Sequence, residues 1–278
     1  MYYYVPASTN YKAASGSKTC TINSIFSYSV TDASPTLVSI TGFADGIDPT
    51  KYTNLKIPST IFGMDVVQIG EIAFKGCGLV SVTIPTSVTE IKTAAFRGNQ
   101  LKSVTIPSGV TNIGDSAFRN NNLTYAEIPS SVTSIGSSAF YGCSGLTGEL
   151  VIPAGVTSIG DGAFKSNIRL SSVAFLGISK LETINESTFE NCAKLQKFEI
   201  PASLRNLDPT AFLATTSLHT VTVQTGNTAF KSVDGVLFNM TGSSLLLYPA
   251  AHGSSYAVPD GTMTIGNYAF AYAKIQSI

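Results

Sequence analysis

The sequence predicts a repeat protein of the α/β class: a solenoid of short, mainly parallel strands joined by short helical turns. Three observations predict it. A phenylalanine recurs at nearly fixed spacing, at Phe74, Phe96, Phe118, Phe140, Phe164, Phe189, Phe212 and Phe270. Five positions before each Phe stands a branched apolar residue: Ile69, Ile91, Ile113, Ile135, Ile159, Ile184, Leu207 and Ile265. Most copies also carry an extended segment ending in proline, such as SVTIP at 81–85 and 103–107.

The spacing of this unit favours one continuous domain. Successive Phe residues up to Phe212 are 22 to 25 residues apart, and only the last gap, of 58 residues, departs from this. A period of this length is typical of leucine-rich repeats, in which one unit cannot bury its own apolar face and must stack on its neighbours. Each buried Phe, Ile or Leu contributes about 1.5 to 3 kcal/mol, so the stacked columns supply the core.

Each part of the unit has a physical reason. In the segment 103–107, Val104 and Ile106 alternate with polar residues, which indicates a strand with one buried and one wet face, and Pro107 ends it. The turn that follows has a residue tolerant of positive φ, which predicts a left-handed corner at Gly70, Gly114, Gly136, Gly160, Asn185, Asp208 and Gly266. The next residue, Asp115 or Asp161 for example, is predicted to cap the short helical turn that carries Phe.

The order of segments predicts how the chain is divided. Residues 1–19 lack periodicity and are expected to form a flexible leader. Residues 20–278 are expected to form the repeat domain, in which 20–51 make an N-terminal cap built on a β-hairpin. Regular repeats fill 52–223. An inserted hairpin region follows at 224–255, where GVLF and LLLYP flank the polar turn NMTGSS, and the final repeat is 256–278.

These motifs together resemble one known family. The unit VTIPxxVTxIGxxAF with a Cys shortly after, the opening SYSVTD followed by VSITGF, and KSVDGVLFN followed by LLLYP and YAVPDGTMTIGNYAF are similar to the BspA-like leucine-rich repeat family. The resemblance covers roughly residues 20–278. It implies a curved, right-handed superhelical solenoid on a secreted or surface-anchored bacterial protein that serves adhesion and protein binding. The family has no shared catalytic residues, so it implies no cofactor.

Composition and charge exclude several classes of partner. The 17 basic residues balance the 17 acidic ones, and charged residues are only 12% of the chain, so neither nucleic-acid binding nor attraction to an anionic membrane is expected. No apolar run is long enough for direct membrane insertion. Cys77, Cys143 and Cys192 share one column, two or more units apart, which is too far for a disulfide. A monomer is expected.

Candidate catalytic and metal-binding residues are few. Only His219 and His252 occur, and no nucleophile motif accompanies them, so surface or packing roles are predicted. Asp115 and Asp161 resemble a carboxylate pair, but their capping position explains them. Without Cys-x-x-Cys or paired His, no metal site is predicted. The hypothesis of an enzyme with a site in the hairpin insertion is kept as the alternative from another class.

The wet face of the strands is the predicted binding surface. Alternate positions of successive strands should form parallel rows, small and neutral at first and of mixed charge later. On this concave face the candidate residues are Tyr125, Glu127, Glu149, Lys197 and Glu199. A second, weaker candidate surface is Tyr248 with the hairpin tip around Asn239. The expected ligand is a protein or an extracellular-matrix or cell-surface molecule, and the alternative role is a structural spacer for other domains.

Overall fold

The computed structural model describes residues 24–31 and 34–278. The predicted leader at 1–19 and Cys20 lie outside the described residues. The only helix in the described ranges is a single 3-10 turn at Pro49–Lys51. The strands are β1 (Phe26–Thr31), β2 (Ser34–Phe43), β3 (Asn54–Lys56), β4 (Thr60–Ile61), β5 (Met64–Ile69), β6 (Ser81–Thr83), β7 (Glu90–Ile91), β8 (Asn112–Ile113), β9 (Ser134–Ile135), β10 (Gly148–Ile152), β11 (Ser158–Ile159), β12 (Leu170–Phe175), β13 (Thr183–Ile184), β14 (Lys197–Ile200), β15 (Asn206–Leu207), β16 (Thr220–Val223), β17 (Phe230–Val233), β18 (Val236–Asn239), β19 (Ser244–Leu247) and β20 (Thr264–Ile265).

Each repeat forms one coil, most coils contain two short strands, and strands at equivalent positions stack on each other. The second strands form an eight-stranded sheet in the order β1-β2-β5-β7-β8-β9-β11, with β4 paired to β5, and β13 pairs with β15 further along. From β2 to β11 the order follows the chain and the pairing is parallel. Within this sheet, β1 and β4 run antiparallel to their partners. The fold is therefore the parallel leucine-rich repeat solenoid that the period predicts.

The first strands of the coils form a less regular stack. Parallel pairs join β3 to β6, β10 to β12 and β14 to β16. Between them, the coils that begin near Leu101 and Leu123 meet through a single parallel bridge, Thr105 to Glu127. The predicted strand at 103–107 is thus reduced to one bridging residue, although Val104 and Ile106 are still buried as predicted.

The core is a column of stacked phenylalanine rings. From Phe74 to Phe189 the ring centroids are 5.4 to 5.8 Å apart with interplanar angles of 5° to 17°, and Phe212 continues the stack at 5.7 Å. This spacing gives the rise of one coil. The eighth member was predicted wrongly, because Phe270 is half-buried and packs 4.9 Å from Tyr248 in a separate small core. The 58-residue gap separates it from the main column.

The corner glycines do not have the backbone conformation that was predicted. Positive φ falls two residues later in the turn, at Ile72, Ala94, Ser116, Ser138, Gly162, Ser187 and Tyr268. Glycine is instead needed because neighbouring coils touch at this column. A Cβ on Gly136 would lie 2.5 Å from the Asp115 amide nitrogen, and one on Gly160 would lie 2.4 Å from the Ser137 nitrogen. Asn185 occupies the same column and donates its side-chain amide to the Ile159 carbonyl at 2.7 Å.

The predicted helical turns and their caps are also corrected. The segments that carry Phe are hydrogen-bonded turns rather than helices. Alternate amides bond to the next coil, as Phe96 donates to the Ala117 carbonyl at 2.8 Å, so a continuous helical ladder cannot form. The amides between them bond three residues back within the turn, as Arg97 donates to the Ala94 carbonyl at 3.1 Å. Asp115 accordingly caps a neighbour, since its Oδ1 accepts from the amide of Ser137, one coil later, at 2.7 Å.

Hydrogen bonds between coils run in two opposite directions. In the turns, the amide of an earlier coil donates to a later one, as from Phe74 to Ala95 at 2.8 Å. After the second strand the direction reverses, and Gly114 donates back to the Ile91 carbonyl at 2.7 Å. Each coil is therefore held by donors and acceptors on both of its sides.

The last part of the chain builds a second, smaller core. Strands β17, β18 and β19 form an antiparallel meander, and β20 adds to β19 in parallel. The meander contains one hairpin more than the sequence predicted, at the turn Asp234-Gly235, where both residues have positive φ. Val236, Phe238, Leu245, Tyr248 and Ala269 are buried in this core.

Candidate functional site

The outward-facing side of the first strands forms a surface of exposed and half-buried residues, here called the ladder face. Its inward neighbours, such as Val104, Leu150 and Phe198, are buried, so the alternate residues are directed outward. The ladder face consists of Ser81, Thr83, Ser103, Thr105, Tyr125, Glu127, Glu149, Val151, Ser172, Ala174, Lys197, Glu199, Thr220 and Thr222. Strand register places these residues in two parallel rows, since Glu149 pairs with Ser172, Lys197 with Thr220 and Glu199 with Thr222.

All five predicted site residues are exposed on the ladder face. Tyr125 exposes 54% of its surface and is an aromatic side chain on the ladder face that a partner can reach. The structure distributes the five residues over several coils instead of gathering them. Lys197 lies two coils beyond Glu149, or about 10 Å at the strand spacing, and Glu199 lies three coils beyond Glu127. Such an arrangement suits an extended partner better than a small molecule.

Two contacts fix acidic side chains on the ladder face. Ser172 donates its hydroxyl to Glu149 Oε1 at 3.4 Å, across the β10–β12 pair. Gln224 donates its amide to Glu199 Oε2 at 3.0 Å. Neither carboxylate is paired with a cation within the described part of the chain. Both carboxylates are therefore available to pair with a basic group of a partner.

The second candidate surface is wrong at its main residue. Tyr248 is fully buried, and its hydroxyl donates to the Gly253 carbonyl at 3.1 Å. Burial also raises the pKa of Tyr248. Asn239 is half-buried and donates to the Ser243 hydroxyl at 3.0 Å, which closes the hairpin turn. Tyr248 therefore belongs to the second core, and Asn239 belongs to the hairpin turn.

The cysteine column belongs to a buried polar ladder that the sequence analysis recognised only in part. Asn99, Asn121 and Asn167 share the column with the cysteines, three residues after Phe, and each donates to the carbonyls of two spine phenylalanines. Cys143 and Cys192 point their thiols at the Phe118 and Phe164 carbonyls, both at 3.3 Å. The three cysteines are free thiols, as the spacing predicted, and burial raises the pKa of Cys143 and of Cys192 to about 12.

The histidines pack against other groups. His219 is exposed and lies just before β16, which begins at Thr220. His252 Nδ1 lies 3.0 Å from the His219 carbonyl oxygen, and its ring packs edge-on to Tyr248 at 5.1 Å. Neither ring has a nucleophile or carboxylate among its recorded contacts in the described chain.

The hairpin region contains a small pocket of about 120 Å³, lined in part by Lys231, Phe238, Thr241 and Asp260. The groups whose pKa is clearly shifted lie elsewhere in the described chain, at Asp48, Cys77, Cys143, Glu190, Cys192, Tyr248 and Tyr256. The described residues contain no group of three His, Cys, Asp or Glu that could hold a metal ion. A search of the same residues found no helix with the length and apolarity to span a bilayer.

Comparison with known proteins identifies relatives of this solenoid. The model of the BspA type leucine rich repeat region, in six copies, matches residues 45–148 and 146–244. A leucine rich cell surface protein of Faecalibacterium prausnitzii superposes with a TM-score of 0.74 at 25% identity, over 95% of this chain and 77% of that one. A comparison with curated protein sequences gave no match.

Two further structures share the fold. The leucine-rich repeat protein of Treponema pallidum has a TM-score of 0.60 at 28% identity, over 70% of this chain and 88% of that one. The pneumococcal vaccine antigen PcpA has a TM-score of 0.61 at 27% identity, and 89% of this chain covers 60% of the antigen. Since the family model matches more than half of the chain, with the repeat unit, the stacked Phe column and the two strand rows in place, the chain belongs to the BspA-type leucine-rich repeat family.

Proposed function

We propose that this chain is a non-catalytic protein-binding and adhesion module of a surface-exposed bacterial protein, and that it binds through the ladder face. The observation that carries the proposal is the row of exposed side chains from Tyr125 to Glu199, held at coil spacing on stacked strands. Rigid, extended surfaces of this kind are what solenoid proteins use to bind their partners. The cell-surface and antigen descriptions of the similar structures support an exposed location.

The chemistry of the row supports a protein or extracellular-matrix ligand. Tyr125 offers a large amphipathic side chain of the kind enriched at binding hot spots. Glu149 and Glu199 are oriented by neighbouring hydroxyl and amide donors, and Lys197 adds a positive charge on the same strand as Glu199. An extended partner with an apolar group opposite Tyr125, basic groups opposite the two glutamates and an acidic group opposite Lys197 would complement all of them. Expected affinity comes mainly from Tyr125, because charges on an exposed rim contribute little.

The test measures adherence of beads coated with the purified chain to extracellular matrix laid down by cultured epithelial cells. The double variant Tyr125→Ala/Lys197→Ala should reduce adherence about tenfold, as expected from removing one aromatic anchor and one charge. The matched control is Tyr272→Ala/Lys274→Ala, which removes the same residue types from exposed positions off the ladder face. The control should adhere as the unmodified chain does.

Two results would count against the proposal. Equal adherence of the two double variants would exclude the ladder face as the binding surface. If the unmodified chain itself failed to adhere above an uncoated bead, adhesion would be wrong and the spacer role would take its place. Circular dichroism of each variant separates lost binding from lost folding.

A further inference from the structure

A second charged surface lies on the turn side of the solenoid, away from the ladder face. Lys75, Arg97 and Arg119 each follow a spine phenylalanine directly, so they occupy the same place in three consecutive coils. Backbone bonds fix this register, since Gly76 donates to the Arg97 carbonyl and Gly98 to the Arg119 carbonyl, both at 2.8 Å. These three residues are here called the basic row. The rings beneath them are spaced by 5.7 and 5.5 Å.

The basic row has no counter-charge of its own. Lys75, Arg97 and Arg119 make no side-chain hydrogen bond or ion pair within residues 24–31 and 34–278. Later in the same column the arrangement differs, because Lys165 donates to Glu190 Oε2 at 2.6 Å and Ser187 donates to the same oxygen. Like charges on adjacent strands repel each other. The first three coils therefore maintain a repulsion that the later coils neutralise.

Arg119 is held in place at the end of the basic row. Its guanidinium carbon lies 4.4 Å from the centre of the Tyr141 ring, one coil later, and its Nε is buried without a hydrogen-bond partner. The contact with the ring restricts the guanidinium group of Arg119. It also covers one face of Tyr141, and that face is therefore not available for stacking on a base.

The protein surface next to the basic row is free of protruding side chains at Gly76 and Gly98. Gly76 and Gly98 follow its first two members, and a Cβ at either position would meet no atom within 4 Å. The acidic residues of these turns are Glu71 and Asp115, four positions ahead of Lys75 and Arg119. Asp115 uses its Oδ1 to accept from the Ser137 amide at 2.7 Å, which draws this carboxylate towards the next coil. A linear anion can thus lie along the three cations.

We propose that the basic row binds a sulfated polysaccharide of the glycosaminoglycan type. Planar guanidinium groups at regular spacing suit the bidentate recognition of sulfate, as they suit phosphate, and clusters of Lys and Arg are typical of such patches. Single-stranded nucleic acid fits less well, because its binding depends on bases stacking on free aromatic rings. This surface is separate from the ladder face, so the proposal is independent of the adhesion proposal.

The test measures binding of the full 278-residue chain to immobilised heparin, with chemically desulfated heparin as the matched probe. The chain should bind heparin at 50 mM salt and bind the desulfated polymer at least about tenfold more weakly, because removing sulfate removes the counter-charge. The variant Arg97→Gln/Arg119→Gln should lose about tenfold in affinity, and the slope of log affinity against log salt should fall by about two. The control Lys180→Gln/Lys274→Gln, with the same change in net charge, should bind as the unmodified chain does.

Two further measurements make the assignment sharper. Arg97→Lys/Arg119→Lys keeps both charges but removes the bidentate fork, so it should lose less affinity than the glutamine variant and more than the control. This variant separates the contribution of charge from that of guanidinium geometry. Thermal melting by circular dichroism checks all variants. Equal loss in the glutamine variant and its control would overturn the proposal. So would equal affinity for heparin and its desulfated form, or tighter binding of an oligothymidine of matched charge.

Discussion

Asn121 shows how one buried polar side chain joins adjacent coils. It is 2% exposed, and its amide donates to the Phe96 and Phe118 carbonyls, both at 2.9 Å. Its Oδ1 accepts from the Leu101 amide at 3.1 Å. These bonds satisfy backbone groups that have no water within reach, and unsatisfied groups of this kind are costly. The Asn121 side chain therefore links the Phe column to the backbone at Leu101.

We expect Asn121→Ala to lower the free energy of unfolding by about 2 to 4 kcal/mol, because it leaves two carbonyls and one amide without this partner. The measurement is urea denaturation followed by circular dichroism, compared through the transition midpoints. The neighbouring Asn122 is exposed and provides the control, and Asn122→Ala should change the free energy by no more than about 0.5 kcal/mol. Similar losses in both variants would contradict the cross-linking role.

At the scale of the element, the spacing between coils is set by glycine at the corner. A Cβ on Gly136 would lie 2.5 Å from both the amide nitrogen and the Oδ1 of Asp115, so the backbone of one coil would have to move. Gly109 is also in a turn, but a Cβ there would meet its nearest atom, the Val88 carbonyl oxygen, at 3.5 Å. A comparison of substitutions at Gly136 and Gly109 therefore distinguishes a requirement for close approach of two coils from a requirement of the turn itself.

Gly136→Ala should destabilise the protein by about 1 to 3 kcal/mol, the usual effect of forcing an extra methyl group into a packed region. Gly109→Ala should be neutral or stabilising by up to about 1 kcal/mol, because alanine restricts the unfolded chain. Thermal and urea unfolding of both variants provide the comparison. A stable Gly136→Ala protein would show that the coils can separate at this column without cost.

Much of the repeat unit could be predicted because residues that recur at the same position in every copy are the ones that pack in the core. Eight copies of one pattern identify the buried Phe and Ile positions, and seven of the eight Phe rings stack as predicted. The corner glycines were assigned to positive φ, and the turns to helices, because residue type alone cannot distinguish left-handed backbone from close approach. Contacts between coils join residues that are 20 or more positions apart in sequence, such as Leu101 and Asn121, and local propensity does not contain them.

At the scale of the whole molecule, the coils differ in how much of their equivalent apolar side chains is buried. Ile265 occupies the same place in its coil as Ile113 and Ile135, which are fully buried, yet it is 50% exposed. Gly266 and Gly136 make the same backbone bond to the preceding coil, to Leu245 and Ile113, both at 2.8 Å. The two amides thus have hydrogen bonds of the same length, but the apolar residue beside each amide is buried to a different extent.

Hydrogen exchange should distinguish these two amides. Local openings need less free energy where few apolar contacts hold a segment, so the Gly266 amide should exchange at least about tenfold faster than that of Gly136. Exchange measured by NMR or by mass spectrometry of short peptides tests this. Equal protection would mean that the second core is as firmly held as the Phe column, despite its exposed Met263 and Ile265.

The candidate site could be predicted only as a surface. Alternation along the strands identified Tyr125, Glu149 and Lys197 as outward-facing, and all three are exposed. The side chains that hold Glu199 and Glu149 belong to Gln224 and Ser172, whose positions depend on register between distant segments. The basic row was missed for the same reason: Lys75, Arg97 and Arg119 become neighbours only when the coils stack, and a balanced net charge conceals them.

The opposed hydrogen bonds between coils have an electrostatic consequence. In an α-helix all peptide dipoles point one way, and their sum places partial charges at the two ends. Here the Phe74 amide points along the axis and the Gly114 amide points back, so the two contributions largely cancel within each coil. The net peptide dipole along the solenoid axis therefore does not grow as coils are added. The length of such a solenoid is thus free to vary without placing growing charges at its ends.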